Sequence, residues 1–301
     1  MKSDGFVVQR LGYTVLLLAT GIFIGLGFAA QAADDEAPTL RFSAIPDQDE
    51  TRLREKFAPV AGYLSEALGV PVEYVHSTKY SDSVDLFKNG DIQLAWFGGL
   101  TGVQARHAVS GARAIAQGVE DPEFYSYFIA HKDAGIEKSD DYPSAIAGKR
   151  FTFGSMGSTS GRLMPESFIR QNSGKSPEEV FAAVSFSGSH DKTVELVESG
   201  QFDVGALNYQ VYDRRVREGT TDPAVVKVIW KTPVYADYNF TAHPDLDTIY
   251  GSGFTDKLQK ALIDMTDPDL LSAFPRSALI AATNADFDAI RELALQLEFI
   301  R

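Results

Sequence analysis

Arg150-Phe151-Thr152-Phe153-Gly154-Ser155-Met156-Gly157-Ser158-Thr159-Ser160-Gly161-Arg162-Leu163-Met164-Pro165-Glu166-Ser167-Phe168-Ile169-Arg170 reads as a strand, a loop and a helix in succession. The strand is a short apolar run, the loop is glycine and hydroxyl residues, and the helix-like run goes from Arg162 to Arg170. A helix start leaves backbone N–H groups unpaired and carries partial positive charge, so it favours an anion. Ser158, Thr159 and Ser160 add three rotatable hydroxyl donors. A βα turn with Ser or Thr as its N-cap and no ligand fits the same residues. Two catalytic motifs do not fit. A phosphate-binding P-loop closes with Gly-Lys-Ser/Thr, whereas Gly161 precedes Arg162-Leu163. A nucleophile elbow is Gly-x-Ser-x-Gly, whereas Gly157 and Gly161 flank Thr159 centrally between Ser158 and Ser160.

Working outward, the N-terminus reads as a leader. Lys2 and Arg10 precede an apolar run from Leu11 to Ala30, Ala30-Gln31-Ala32 supplies small residues for cleavage, and Asp34-Asp35-Glu36 follows. This predicts a cleaved signal peptide over residues 1–32 and a periplasmic mature protein. The chain has no cysteine, which excludes a disulfide framework and a lipid-modified cysteine anchor. A net charge of −13 disfavours nucleic-acid binding. An acidic protein that binds an anion must do so with local donors. The five histidines, His76, His107, His131, His190 and His243, have no metal-ligand spacing, so neither a metal nor a cofactor is expected.

Strands alternate with helices along the rest of the chain. Thr39–Pro46, Pro71–Val75, Asp91–Phe97, Ala112–Gln117 and Tyr125–Ala130 read as strands, with helices at 47–68, 80–88 and 100–108. Lys132 to Pro143 reads as a surface crossing, after which a second βα series begins at Lys149. It includes strands ending at Ser187-Gly188-Ser189-His190-Asp191 and at Asn208-Tyr209-Gln210. From Tyr238 the chain carries little strand signal beyond Asn239-Phe240-Thr241 and is otherwise helical. The pattern predicts an α/β protein of two lobes, 38–130 with 240–301 and 131–239. Each lobe is expected to be a mostly parallel sheet with flanking helices and to place ligands beyond the carboxyl ends of its strands.

With these residues in hand, the chain resembles the periplasmic solute-binding proteins of phosphonate- and phosphite-type ABC importers. Asp91-Ile92-Gln93-Leu94-Ala95-Trp96-Phe97-Gly98-Gly99-Leu100-Thr101 is similar to the family's first-lobe strand and turn. Ser158-Thr159-Ser160-Gly161 followed by Pro165 resembles its anion loop, Ser189-His190-Asp191 its Gly-His-acidic turn, and Ile229-Trp230-Lys231-Thr232-Pro233 its return strand. The resemblance implies the two-lobed type II binding-protein fold with the ligand cleft between lobes. It implies a small oxyanion ligand, a permease with its ATPase as partner, a monomer, and no enzymatic chemistry. Ser158, Thr159 and Ser160 would hold the anion's oxygens and His190 would donate from the facing loop. Tyr80 would reach the anion from the first lobe, with Phe97 and Gly98 as cleft floor and Asn208 beside them. A second aromatic falls at Phe124-Tyr125: Tyr125 is the contact in one register, and in the other Phe124 is, with one hydroxyl lost.

Family members that bind aminoethylphosphonate place carboxylates where this chain has Gln210 and Tyr238, with Asp237 adjacent to the second position if the register slips by one. An amine would lose its counter-ions here, each contributing on the order of 1–3 kcal/mol. A bare oxyanion is expected instead: phosphite, phosphate, methylphosphonate, or selenate, which similar sequences are described as binding. With both acidic positions replaced, the pocket reads as acceptor-poor, which leans toward selenate-like ions. Which of Asp191, Asp203 and Asp237 points inward is left open. Two rivals stand beside transport: a sensing module that presents its bound state to a signalling partner, and a secreted hydrolase using Ser158 and His190.

Overall fold

The structure, a computed structural model, describes residues 37–48 and 50–301; the leader expected over 1–32 lies outside them. Among the described residues, eleven strands form two sheets. The first contains β1 (Leu40–Ala44), β2 (Val72–Tyr74), β3 (Leu94–Phe97), β4 (Arg113–Gly118), β10 (Asn239–Ala242) and β11 (Leu279–Ala281). Its order is β11-β4-β10-β3-β1-β2. The second contains β5 (Ser126–His131), β6 (Arg150–Phe153), β7 (Ala183–Phe186), β8 (Val204–Asn208) and β9 (Val226–Lys231), in the order β7-β6-β8-β5-β9. Central strands such as β3 are buried along their whole length because helices cover both faces, which explains their continuous apolar runs. The helix Glu50–Leu68 buries Leu53, Phe57, Val60, Leu64 and Leu68, one stripe at helical spacing, and ends at Gly69 in left-handed backbone.

The sheets are mixed, where the sequence reading expected mostly parallel pairing. β1 pairs in parallel with β2 and β3, and β6 with β7 and β8. β10 runs antiparallel to both of its neighbours, and β5 to both of its own. The physical reason is the double crossover. A chain leaving one sheet at its carboxyl edge enters the other at that same edge, so each crossing delivers a reversed strand into the middle of the receiving sheet. β5 therefore belongs to the second sheet, and the division expected after residue 130 falls earlier, within 119–125. Lys132 to Pro143 is no crossing: it joins β5 to β6 within the second sheet. Two further elements differ from the sequence reading, the helix Tyr209–Arg217 after β8 and the short edge strand β11.

Residues 37–301 form one compact unit. Within it the carboxyl ends of β1, β3, β6 and β8 meet along a seam between the sheets, and every residue of the site lies there.

Candidate functional site

The loop after β6 is held open by one extra residue. Ser158 Oγ accepts the Gly161 N–H at 2.9 Å, and the Leu163 N–H reaches back five residues to Ser158 O at 3.0 Å. Thr159–Leu163 is thus a π-turn leading into the helix Met164–Ser173, a widening found often at functional sites. Gly154 N–H donates to Gly161 O at 2.8 Å and clamps the two ends together. A Cβ on Gly161 would meet Ser158 Oγ at 3.0 Å and His190 Cε1 at 3.1 Å, so the close approach requires glycine. Ser158, Thr159 and Ser160 are all buried as a result.

The first sheet meets this turn directly. Gly98 follows β3 as the N-cap, and the next two N–H groups open the helix Gly99–Ala108. Gly99 N–H donates to Asp237 Oδ1 at 2.8 Å, and Leu100 N–H to Thr159 Oγ1 at 3.0 Å, across the seam. Tyr80, first residue of the helix Tyr80–Lys88, packs against Gly157, where a Cβ would lie 2.9 Å from Tyr80 Cβ. Its buried hydroxyl has no hydrogen-bond partner. Burial, then the negative charge of Asp47 and Asp237, raises the phenol pKa well above its ordinary value; Ser158 opposes this in part, without a formed hydrogen bond between the two hydroxyls.

His190 starts the helix His190–Glu198 and is fully enclosed. Asn208 N–H donates to its Nδ1 at 3.3 Å, which fixes the tautomer with the proton on Nε2. Burial lowers its pKa, against the pull of Asp47 and Asp191, so the ring is a neutral donor near pH 7. That Nε2 has no partner in the protein. Asn208 Nδ2 donates to Tyr238 Oη at 3.1 Å, and Tyr238 Oη donates to Asp47 Oδ2 at 2.8 Å, a relay joining β8, the return crossing and the end of β1. Asp237 is the third group with an unpartnered buried atom, its Oδ2. Desolvation raises its pKa to about 7, although Gly99 N–H and the Thr159 hydroxyl stabilise the ionised form. Two donors and one carboxyl oxygen, all unsatisfied, therefore face the Ser158-Thr159-Ser160 turn.

The structure brings together Tyr80, Gly98, Ser158, Thr159, Ser160, His190 and Asn208. Phe97 is a core residue whose ring meets Phe87 at 5.7 Å, so it supports the floor without lining it. Tyr125 is not part of the cluster. It stacks on Tyr209 at 3.8 Å under the Lys231 ammonium, half exposed, while Phe124 takes the buried place beside Tyr235 and Tyr238. The chain runs extended here, so neighbours face opposite sides and one register step exchanges them. Asp191 is tied to Arg214 at 2.7 Å and Asp203 to Arg150 at 2.6 Å, both away from the turn. Asp237 alone of the three points in, so the acceptor-poor reading is corrected. Its signal lies in the dipeptide Asp237-Tyr238, where a one-residue shift of register puts the carboxylate at the family's acidic position. Nor do Ser158 and His190 form a hydrolytic pair, since His190 Nδ1 is occupied by a backbone N–H where a triad needs a carboxylate.

Comparison with known proteins agrees with this geometry. The family of ABC transporter, phosphonate, periplasmic substrate-binding proteins matches residues 42–287. A protein of Prochlorococcus marinus (strain MIT 9301), described as a probable ABC transporter phosphite binding protein PhnD1, is 36% identical over 269 residues, covering 87% of this chain and 91% of that protein. The phosphate-import protein PhnD of Mycolicibacterium smegmatis is 30% identical, covering 73% of this chain and 70% of that protein. The crystal structure of the Prochlorococcus PhnD1 in complex with methylphosphonate superposes with a TM-score of 0.83, over 87% of this chain and 99% of that one. A binding-protein component of a Pseudomonas aeruginosa phosphonate transporter, 22% identical with a TM-score of 0.76, shares the fold. These relatives are substrate-binding proteins, not enzymes.

Proposed function

This chain belongs to the periplasmic substrate-binding proteins of phosphonate-type ABC transporters, and we propose that it captures a small phosphorus oxyanion that can carry a proton, phosphite or methylphosphonate, between its two sheets and delivers it to a membrane permease. The observation that carries the reading is the trio of buried, unpartnered atoms, Tyr80 Oη, His190 Nε2 and Asp237 Oδ2, facing the turn Ser158-Thr159-Ser160. Leaving such atoms unsatisfied costs about 1–3 kcal/mol each, a penalty that an enclosed oxyanion removes. The two rings and the hydroxyl turn supply donors to the oxygens. Asp237 supplies an acceptor, which a fully deprotonated ion cannot use and a protonated one can.

The first test is a thermal-shift panel of phosphite, methylphosphonate, phosphate, aminoethylphosphonate, sulfate and selenate. A ligand at a hundredfold excess over its Kd adds about 2.7 kcal/mol of stability. Phosphite or methylphosphonate should give the largest shift, and Thr159→Ala should reduce it. A dominant response to aminoethylphosphonate, or none to any phosphorus oxyanion, would remove the reading. Export by a cleaved leader without a lipid anchor belongs to the same proposal, and N-terminal sequencing of secreted protein checks it.

A further inference from the structure

Beside the anion cluster, on the far side of the Tyr238–Asp47 hydrogen bond, lies a chamber of about 370 Å³ between the two sheets. Ile45, Leu53, Phe57, Trp96 and Phe274 give it an apolar wall. Its charged lining is Arg52, Lys56, Arg214, Arg217 and Arg276 against Asp47 and Glu218. Most of the cations are already engaged. Arg52 and Arg214 each meet Glu218 at 3.1 Å, Arg214 also meets Asp191, and Arg276 is paired with Asp121 at 2.6 Å. Arg217 is exposed. Lys56 differs: it is half-buried, and among the described residues no carboxylate lies within ion-pair distance and its ammonium donates only to the neutral Gln48 Oε1 at 3.1 Å. Desolvation lowers its pKa, with Asp47 as the main opposing influence. A carboxylate beside it would reverse that penalty.

Resting on the function proposed above, we infer that the site also takes phosphonates whose organic substituent ends in a carboxylate, the phosphonate in the hydroxyl turn and the carboxylate at Lys56. Tyr238 and Asn208 line the chamber and also belong to the anion site's relay. The Tyr238 ring is therefore the partition that such a substituent turns aside. Two neutral or singly charged hydrogen bonds are exchanged for a charge-assisted pair and buried methylene surface. An amine-ended substituent would bring a second cation beside Lys56, Arg52 and Arg214, with Glu218 already paired to both arginines and Asp47 as its one other carboxylate in the lining.

The test is calorimetric titration of the purified protein with methylphosphonate, phosphonoacetate, 3-phosphonopropionate, 4-phosphonobutyrate and aminoethylphosphonate. At least one carboxylate-ended ligand should bind about tenfold more tightly than aminoethylphosphonate. Lys56→Gln should abolish that advantage and leave methylphosphonate binding unchanged, and Lys56→Glu should reverse it. The inference is overturned if methylphosphonate binds while no carboxylate-ended ligand outperforms aminoethylphosphonate. It is equally overturned if Lys56→Gln weakens methylphosphonate as much as the longer ligands. Silence from methylphosphonate itself would remove the functional reading, and this inference with it.

Discussion

Asp237 is the residue on which ligand choice turns. Its carboxyl is buried, one oxygen holds Gly99 N–H, and the other is free to meet a ligand. Its pKa of about 7 lies above the ordinary 3.8, so the native state holds this proton more tightly than the unfolded chain does. The stability it contributes is therefore present at low pH and is lost as pH rises through about 7. Asp237→Asn keeps the shape and removes the charge, so at pH 8 it should raise Tm by about 3 °C or more, with the difference shrinking toward pH 5. Differential scanning calorimetry at the two pH values reads this directly. His190 has the opposite sign: its pKa is lowered, so its contribution is lost as pH falls below the ordinary imidazole range. His190→Ala removes one buried donor and should weaken methylphosphonate binding by about tenfold or more, since a hydrogen bond to an ion is worth about 1.5–3 kcal/mol.

At the scale of elements, the strand-turn-helix of 150–170 does two separable jobs, and its glycines divide between them. Gly161 packs on its own side of the seam, against Gly154, Ser158 and His190, so Gly161→Ala should destabilise the protein as a whole. Gly157 packs across the seam on Tyr80. Gly157→Ala should leave Tm within a few degrees and raise Kd about tenfold, because only the joining of the two sheets is obstructed; titration and a melt on one preparation separate the two effects. This element was legible in the sequence because it combines an apolar strand-like run with a glycine and hydroxyl loop that offers an N-cap, two local signals that agree. The π-turn inside it was not, since an extra residue in a helix's first turn leaves no compositional trace. Likewise Tyr209–Arg217 carries three arginines and only Val211 and Tyr212 in its core, too thin a stripe to announce a helix beside a strand end. β11 is three residues long and antiparallel at an edge, below the length at which alternation can be read. Phe124 and Tyr125 were separable only by register, which is a tertiary property.

At the scale of the molecule, the crossings decide what the sequence could reveal. Alternating βα signals identified two series of strands, but the sheet to which Ser126–His131 belongs depends on where the chain crosses, and no local residue marks that. The marker is long-range. Asp121 lies on the first crossing and makes a two-pronged ion pair with Arg276, 155 residues away in sequence, while Asp121 O accepts Asp237 N–H from the second crossing. Arg276 also binds Gln210 beyond β8, so one buried guanidinium joins both crossings and both sheets. Removing one partner of such a pair costs about 3–5 kcal/mol. Asp121→Ala should accordingly lower Tm by about 6 °C or more, whereas Arg52→Ala, which breaks an exposed pair with Glu218 at the rim, should change it far less. The acidic surface and the donor-rich seam then fit one account: a protein of net charge −13 holds an anion by enclosing it among oriented N–H and O–H groups, not by attracting it from a distance.

The measurement that bears most directly on this account is the ratio of selenate to methylphosphonate dissociation constants, by calorimetry, at pH 6 and pH 8. At pH 8 Asp237 is mostly ionised, so a dianion with no proton meets a buried carboxylate, and selenate should bind at least about tenfold more weakly than methylphosphonate. At pH 6 the carboxyl is mostly protonated and the gap should narrow, and in Asp237→Asn the change between the two pH values should fall to what methylphosphonate's own second ionisation causes. Selenate binding as tightly as methylphosphonate at pH 8, or a ratio that does not move between the two pH values, would contradict the account.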